Sequence, residues 1–360
     1  METLIVYYTN ENNKDLSYQH GWVKAFTKSK IFKCDYLNLS YYFPIHKSKP
    51  KISGLNNLLF KKYDCIIILH SAFSNACLVP KYIQKIIRHK KAFKVYFIGN
   101  EYKHMPEKMN FTKYLKIDLF ITQSHLKEVI NLYQNYLDSK VEFIPNTGID
   151  EDIFFPNLKF ESRSILMGYR TYPEPEYFGH QERVRLYNFL NEFSSKNNEF
   201  KFDLSIKDED RFEDIEWANF LNNCKCFASS NTGWDYFTLN DDLRNRVNNS
   251  KISNFNIIYD KFFKNLNKGT VWRCVTGKII EPAACKTALM LVEGDYYNFQ
   301  PNIHYISLKK DYSNIDECME KLNDLQYIDF ITENSYKLVK EKYLYHHLIN
   351  NLYNIISKIN

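Results

Sequence analysis

Glycine is scarce in this chain: only 10 of its 360 residues are glycine. Neither GxGxxG nor GxxxxGK(S/T) occurs, which excludes the glycine-rich dinucleotide fingerprint and the Walker phosphate loop. There is also no apolar run of about 18 residues, the length a membrane-spanning helix needs. Met1 to Val6 run straight into a strand pattern, with no basic region ahead of a hydrophobic one, so no secretory leader is expected. Cys224 and Cys226 have no second Cys or His pair at zinc spacing. Other cysteines, such as Cys65 before Ile66-Ile67-Ile68-Leu69, read as small buried hydrophobes. These absences together point to a reducing cytoplasm.

Hydrophobic residues make up 44% and charged residues 25%, ordinary values for a globular protein. At about 150 residues per domain, the length suggests two domains. The net charge is +6. Lysine is spread along the chain together with abundant Asn, Ile, Tyr and Phe, as an A·T-rich coding bias produces. Such scatter argues against nucleic acid as a partner. It suits a phosphorylated substrate, with contact to an acidic membrane surface as a further expectation.

The first half alternates short apolar runs with helical patterns. Strands are expected at 4–8, 32–39, 65–69, 93–98, 119–122 and 141–144, with helices between them, including 16–28 and 80–88. This is βαβ alternation, and it predicts a doubly wound parallel sheet. Pro145-Asn146-Thr147-Gly148 interrupts the pattern, and the polar stretch to Arg163 reads as a linker. Alternation then restarts, with strands at 164–167, 200–206, 225–229, 288–292 and 304–308. Helices are expected at 181–192, 215–222 and from 279. Residues 231–268 fit this scheme least, and 336–357 reads as one long amphipathic helix. The expected architecture is α/β, with two Rossmann-like domains facing across a cleft. Their spans are 1–157 and 158–335, with 336–360 returning to the first domain. Ligands in such sheets bind beyond the strand C-termini.

The most informative segment is Thr276-Gly277-Lys278-Ile279-Ile280-Glu281-Pro282-Ala283-Ala284-Cys285. Gly277 lets backbone approach a ligand, and free N–H groups at a helix start favour an anion such as a diphosphate. Lys278 adds a full charge. Glu281, one turn on, can accept hydrogen bonds from two ribose hydroxyls, or it can be an ordinary exposed helix residue.

This segment resembles the donor-site helix of GT-B glycosyltransferases, written (P/G)R-x-(F)E-A-x-A-C/G-x-x. Tyr296-Tyr297 after Glu293-Gly294 looks like the EGxYS that follows it. The stretch from His304-Tyr305-Ile306-Ser307-Leu308 to Ser313-Asn314 is similar to HYIPLKKDFSN, and Ile144-Pro145-Asn146-Thr147-Gly148-Ile149-Asp150 to IPNGVD. The resemblance spans essentially the whole chain. It implies a nucleotide-diphosphate sugar as donor substrate and a glycan or lipid-linked acceptor, as in surface polysaccharide or glycolipid synthesis. It also implies that Arg170 reaches the donor diphosphate, and its planar fork suits phosphate oxygens. Two departures stand out. Lys278 replaces the commoner Arg. Arg273 occupies the place of the first Glu in the E-x7-E pair of many retaining members, so the stereochemical outcome does not carry over.

Further candidates lie on loops after strands. Gly233 can let its loop approach the base or sugar, or it can be a plain turn. Glycosyl transfer passes through an oxocarbenium-like state, and an inverting enzyme needs a base on the acceptor hydroxyl. Glu101 is the first candidate for that base and His70 the second. Asp208-Glu209-Asp210 formally matches the DxD metal motif of GT-A enzymes, but it reads as part of a solvated acidic loop. No metal or other cofactor is expected. The rival functions are a nucleotide-sugar epimerase of the same fold and a non-enzymatic two-domain sugar- or nucleotide-binding protein.

Overall fold

The computed structural model describes residues 1–9, 17–42, 52–267 and 269–359. In chain order, the first half runs β1 (Glu2–Tyr7), α1 (Ser17–Lys28), β2 (Lys33–Asn38), α2 (Ile52–Phe60), β3 (Cys65–Ile68), α3 (Lys81–His89), β4 (Phe93–Phe97), α4 (Met105–Leu115), β5 (Leu119–Thr122), α5 (Lys127–Tyr136) and β6 (Lys140–Phe143). The six strands form one parallel sheet in the order β2-β1-β3-β4-β5-β6. Central strand β3, Cys65-Ile66-Ile67-Ile68, is buried along its whole length, as a parallel strand covered on both faces must be. Pro80 sits just before α3 with extended backbone, so it caps that helix and is not part of its first turn.

The second half continues with β7 (Ile165–Arg170), α6 (Glu182–Lys196), β8 (Phe202–Ser205), α7 (Asp214–Asn223), β9 (Cys224–Ser229), β10 (Thr232–Phe237), α8 (Asp242–Asn249), α9 (Phe255–Phe262), β11 (Thr270–Cys274), α10 (Gly277–Ala284), β12 (Ala288–Val292), β13 (Ile306–Leu308), α11 (Ile315–Asn323), α12 (Leu325–Lys342) and α13 (Tyr345–Ile359). A second parallel sheet has the order β13-β12-β9-β7-β8. Both sheets are doubly wound, with the reversal at β1 in the first and β7 in the second.

Three features differ from the sequence expectation. Strand β7 extends through Gly168-Tyr169-Arg170, so Arg170 ends a strand and does not sit in the loop beyond it. Residues 231–268 do not simply extend the second domain. β10 and β11 form an antiparallel pair, with α8 and α9 between them. Trp234, Tyr236, Phe237, Val247, Ile258 and Trp272 of this insert share one buried cluster with Met105, Phe120 and Tyr133 of the first half. The alternation pattern could not reveal this, because the insert's apolar residues face another domain.

The expected single helix at 336–357 is two. α12 ends at Lys342 and packs beside α10. After Tyr343-Leu344, α13 lies against α1, burying Leu348, Ile349, Leu352 and Ile356 with Ile5, Trp22 and Phe26 of the first half. A backbone bridge pairs Ile149 with Leu344 at the crossing, so the chain changes domain in both directions at one place. Among the described residues, no helix is long and apolar enough to cross a membrane.

Candidate functional site

A cavity of about 290 Å³ opens between the two sheets. One wall comes from residues beyond β4, β5 and β6: Asn100, Glu101, Gln123, Asn146 and Thr147. The opposite wall carries Arg170, Thr171, Tyr172, Arg183, Lys207, Arg211, Trp217, Thr276, Gly277, Lys278 and Glu281. The cavity thus lies beyond strand C-termini and beside β7, where the second sheet reverses its strand order.

Gly277, Lys278 and Glu281 come together at the start of α10. Glu281 is buried, and its carboxylate folds back over the first turn. Trp217 Nε1 donates to Glu281 Oε2 at 2.7 Å. A Cβ placed on Gly277 would lie 2.6 Å from Glu281 Oε1. Glycine at 277 therefore makes room for the carboxylate as well as for any ligand. Pro282 follows inside the helix, beyond the first turn, because α10 begins two residues earlier than the apolar pattern suggested. Lys278 Nζ donates to Thr171 Oγ1 at 2.8 Å and stands 5.2 Å from the centre of the Tyr172 ring. Burial, with Arg183 and Arg211 close by, pushes its ammonium well below the usual lysine range.

The chief residue that the sequence reading missed is Arg183, in the first turn of α6. It is 8% exposed, and its Nη1 is buried with no hydrogen-bond partner. Its guanidinium lies 4.8 Å from the centre of the Tyr172 ring, the same ring that Lys278 flanks. Its backbone N–H donates to Glu174 Oε1 at 2.5 Å. Burial opposes ionisation of Glu174. The His180 ring 3.7 Å away and the Arg183 backbone N–H outweigh it and hold that carboxyl below its ordinary value. One cue existed in the sequence: a cation in a helix's first turn opposes the helix dipole and so needs an anion. The buried hydroxyl of Thr276, just ahead of α10, also has no partner.

Arg170 lines the cavity but is already engaged. It pairs with Asp203 and donates to the Asp203 and Tyr169 carbonyls at 2.9 and 3.1 Å. Its guanidinium also lies 4.9 Å from the centre of the Phe220 ring. Gly233 is held by strand pairing. A Cβ there would lie 2.0 Å from the Trp272 carbonyl oxygen, so β10 and β11 could not close around any larger residue. Arg273 pairs with Asp235 and is absent from the cavity wall.

The two candidate bases fare differently from expectation. His70 is 3% exposed, packs against Trp22 and Phe97, and does not line the cavity. Burial pushes its pKa down to about 3, so it stays neutral and enclosed. Glu101 reaches the cavity wall, yet it is 1% exposed. Its carboxylate accepts from Tyr133 Oη (2.6 Å), the Gln123 N–H (2.7 Å), Thr122 Oγ1 (2.8 Å) and Trp272 Nε1 (3.2 Å). Burial raises its pKa and these bonds offset part of the rise. With four donors on two oxygens, Glu101 joins the domains and is not placed to take an acceptor proton. Lys108 supports the same loop through the carbonyls of Gly99, Asn100 and Lys103.

Asp208 and Asp210 are in the cavity wall, and Asp210 accepts from Ser205 Oγ at 2.6 Å. Elsewhere His104, Glu107 and Asp241 lie close together. There Asp241 accepts from the His104 N–H at 2.7 Å and pairs with Arg244 at 3.0 Å, so its oxygens already serve a helix start and a cation.

No protein-family model and no curated protein sequence matches the chain. Solved structures do. Sucrose-phosphate synthase from Thermosynechococcus elongatus superposes with a TM-score of 0.56 at 10% identity, over 100% of both chains. HepE from Anabaena, in complex with UDP and glucose, gives 0.55 at 8% identity, over 99% of this chain and 100% of that one. TarM gives 0.53 at 14% identity over 85% of this chain, which spans 58% of TarM's length. With two doubly wound sheets, a cavity between their C-terminal edges and these neighbours, the chain has the GT-B fold of glycosyltransferases.

Proposed function

We propose that this protein is a glycosyltransferase that moves a sugar from a nucleotide-diphosphate donor to an acceptor hydroxyl. The observation that carries the reading is the buried, unpartnered Nη1 of Arg183 beside Lys278 and the α10 N-terminus. An unpaired buried donor is costly, and a diphosphate would satisfy it together with the Thr276 hydroxyl and the first N–H groups of α10. Glu281, oriented by Trp217, is one turn away and fits the ribose hydroxyls. HepE, a neighbour in fold, was solved with UDP and glucose, which agrees with a nucleotide sugar as donor here.

In the transfer, the acceptor oxygen bonds to the anomeric carbon as that carbon's bond to the diphosphate breaks, and the acceptor's hydroxyl proton passes to the departing diphosphate oxygen. Negative charge then grows on the leaving phosphate, which Arg183, Lys278 and the helix start stabilise from fixed positions. Arg183 and the helix start, with Lys278 drawn to its protonated form by the diphosphate beside it, take the part a divalent metal plays elsewhere, so the proposal includes metal independence. Asn100, Gln123, Asn146 and Thr147 form the wall available to an uncharged acceptor hydroxyl. A surface glycan or membrane glycolipid is the proposed acceptor class, with the protein working at the cytoplasmic face of a membrane.

Thermal shift with UDP-, GDP- and dTDP-linked sugars tests the donor. A nucleotide sugar at about 100 times its Kd should add about 2.7 kcal/mol of apparent stability. Glu281→Ala should weaken that binding in an otherwise folded protein. Unchanged affinity in this variant would remove the ribose assignment. Release of an epimerised nucleotide sugar without acceptor would replace transfer by epimerisation, and loss of activity in EDTA would overturn metal independence.

A further inference from the structure

The flank of the first domain carries a charge concentration that the even scatter of lysine along the sequence conceals. Residues 52–116 contain twelve Lys or Arg and three acidic residues, a local balance of +9 against +6 for the entire chain. No Asp or Glu occurs from 65 to 100. Helix α3 lies at the centre of this region. It buries Ile83, Gln84 and Ile87 against the sheet and turns Lys81, Tyr82, Lys85 and His89 outward, with Lys91 exposed just beyond its end. Lys81, Lys85 and Lys91 form no ion pair among the described residues. Helix-dipole stabilisation accounts for Arg88 and His89 in the last turn. It does not account for Lys85 in the middle, and it opposes Lys81 in the first turn.

The flanking helices extend this face with apolar groups. At the end of α2, Leu59 is 43% and Phe60 83% exposed; on α4, Tyr114 is 38% exposed. The three helices form one continuous surface. Arg88 stacks 4.6 Å over Tyr114, and Lys90 Nζ donates to the carbonyls of Leu59 and Lys61 at 3.1 and 3.0 Å.

We propose that this face seats the protein on a bilayer rich in anionic phospholipid. Cations complement the headgroup charge, while Phe60, Leu59 and Tyr82 enter the headgroup–acyl boundary, where amphipathic side chains are favoured. A nucleic acid duplex would use the cations but gain nothing from Leu59 and Phe60, and a single strand could stack a base on Phe60 but would gain nothing from Leu59. Because α3 follows the loop after the C-terminal end of β3, the face starts at the cleft rim. A docked bilayer would therefore lie beside the cavity mouth. This inference does not depend on the donor chemistry.

Co-sedimentation with vesicles tests it without any nucleotide sugar, so its outcome is separate from that of the donor assay. The vesicles would be phosphatidylcholine alone or with about 30% phosphatidylglycerol. Each basic residue near such a surface strengthens binding about fivefold at low salt. The intact protein should bind the anionic vesicles at least about tenfold more tightly than the neutral ones. Lys81→Glu, Lys85→Glu and Lys91→Glu combined should lose binding about 100-fold, and Phe60→Ser should weaken it at any salt concentration. Because all four side chains are exposed, their circular dichroism melts should match the parent; the single variants serve if the triple does not fold. Equal binding to both vesicles, or undiminished binding by the reversed variants, would overturn the proposal. Binding of single-stranded RNA with none to vesicles would also overturn it and give the face to nucleic acid.

Discussion

Arg183 and Arg170 both face the cavity and each keeps one buried N–H without a partner, but in Arg170 this is Nε, both Nη groups being taken by Asp203 and Tyr169, whereas in Arg183 it is the terminal Nη1. A charge-assisted hydrogen bond contributes about 1.5–3 kcal/mol. Arg183→Ala should therefore weaken nucleotide-diphosphate binding roughly 10- to 100-fold by calorimetry. Arg170→Ala should cost fold stability more than affinity, because its Asp203 partner would be left unpaired. The reverse ranking would return the diphosphate to Arg170. His70 makes a prediction about pH. Its folded pKa of about 3 lies below the ordinary 6.5, so the unfolded chain takes up its proton first on acidification. The stability of the neutral buried ring is complete above about pH 6.5 and is lost as pH falls toward 3, at about 1.4 kcal/mol per unit. Urea unfolding at pH 7 and pH 5 should show a loss of about 2 kcal/mol from this residue, reduced in His70→Gln. An unchanged pH slope in that variant would assign the acid sensitivity elsewhere.

At the scale of elements, the β10–β11 insert does most to shape the cleft. Its Asp241 accepts from the N–H groups of His104 and Met105, and so caps α4 from the other half of the chain. Its Trp272 donates to Glu101. Asp241→Ala should cost about 1 kcal/mol, the usual value of an N-cap. Hydrogen exchange should rise in the first turn of α4 and in α8 together. A rise confined to α8 would show that the cap does not couple the two. Most regular elements were legible from period and length. β5 and β12 match their expected bounds, because a parallel strand buried on both faces is a continuous apolar run between turn signals. The hairpin was not legible. Ser229 to Gly233 reads as a strand end with a plain turn, and the pairing of Thr232, Gly233 and Trp234 with residues some forty positions away is a long-range contact. The break between α12 and α13 was missed for a similar reason: both sides of it are amphipathic, and only their different partners separate them.

For the whole molecule, the cluster joining the insert to the first domain makes the halves one cooperative unit. Calorimetry should show a single unfolding transition. Phe237→Ala, at 1% exposure, should cost about 3–5 kcal/mol and expose a second transition. Two resolved transitions in the parent would show that the shared core does not couple the domains. The paired α/β architecture and the grouping of Gly277, Lys278 and Glu281 on one helix start could be read from the chain, because strand burial and helix turns are local and periodic. The partnering of side chains could not. On residue type alone Arg183 is as good a phosphate ligand as Arg170, which the resemblance favoured, and nothing in the sequence shows that neither Glu101, the first candidate base, nor His70, the second, is free to act. Folding brought Asp203 to Arg170, closed four donors around Glu101 and sealed His70 among aromatic rings, while leaving Arg183 facing the cavity. Which charged group stays available to a ligand depends on what packs around it, and those neighbours are distant in sequence.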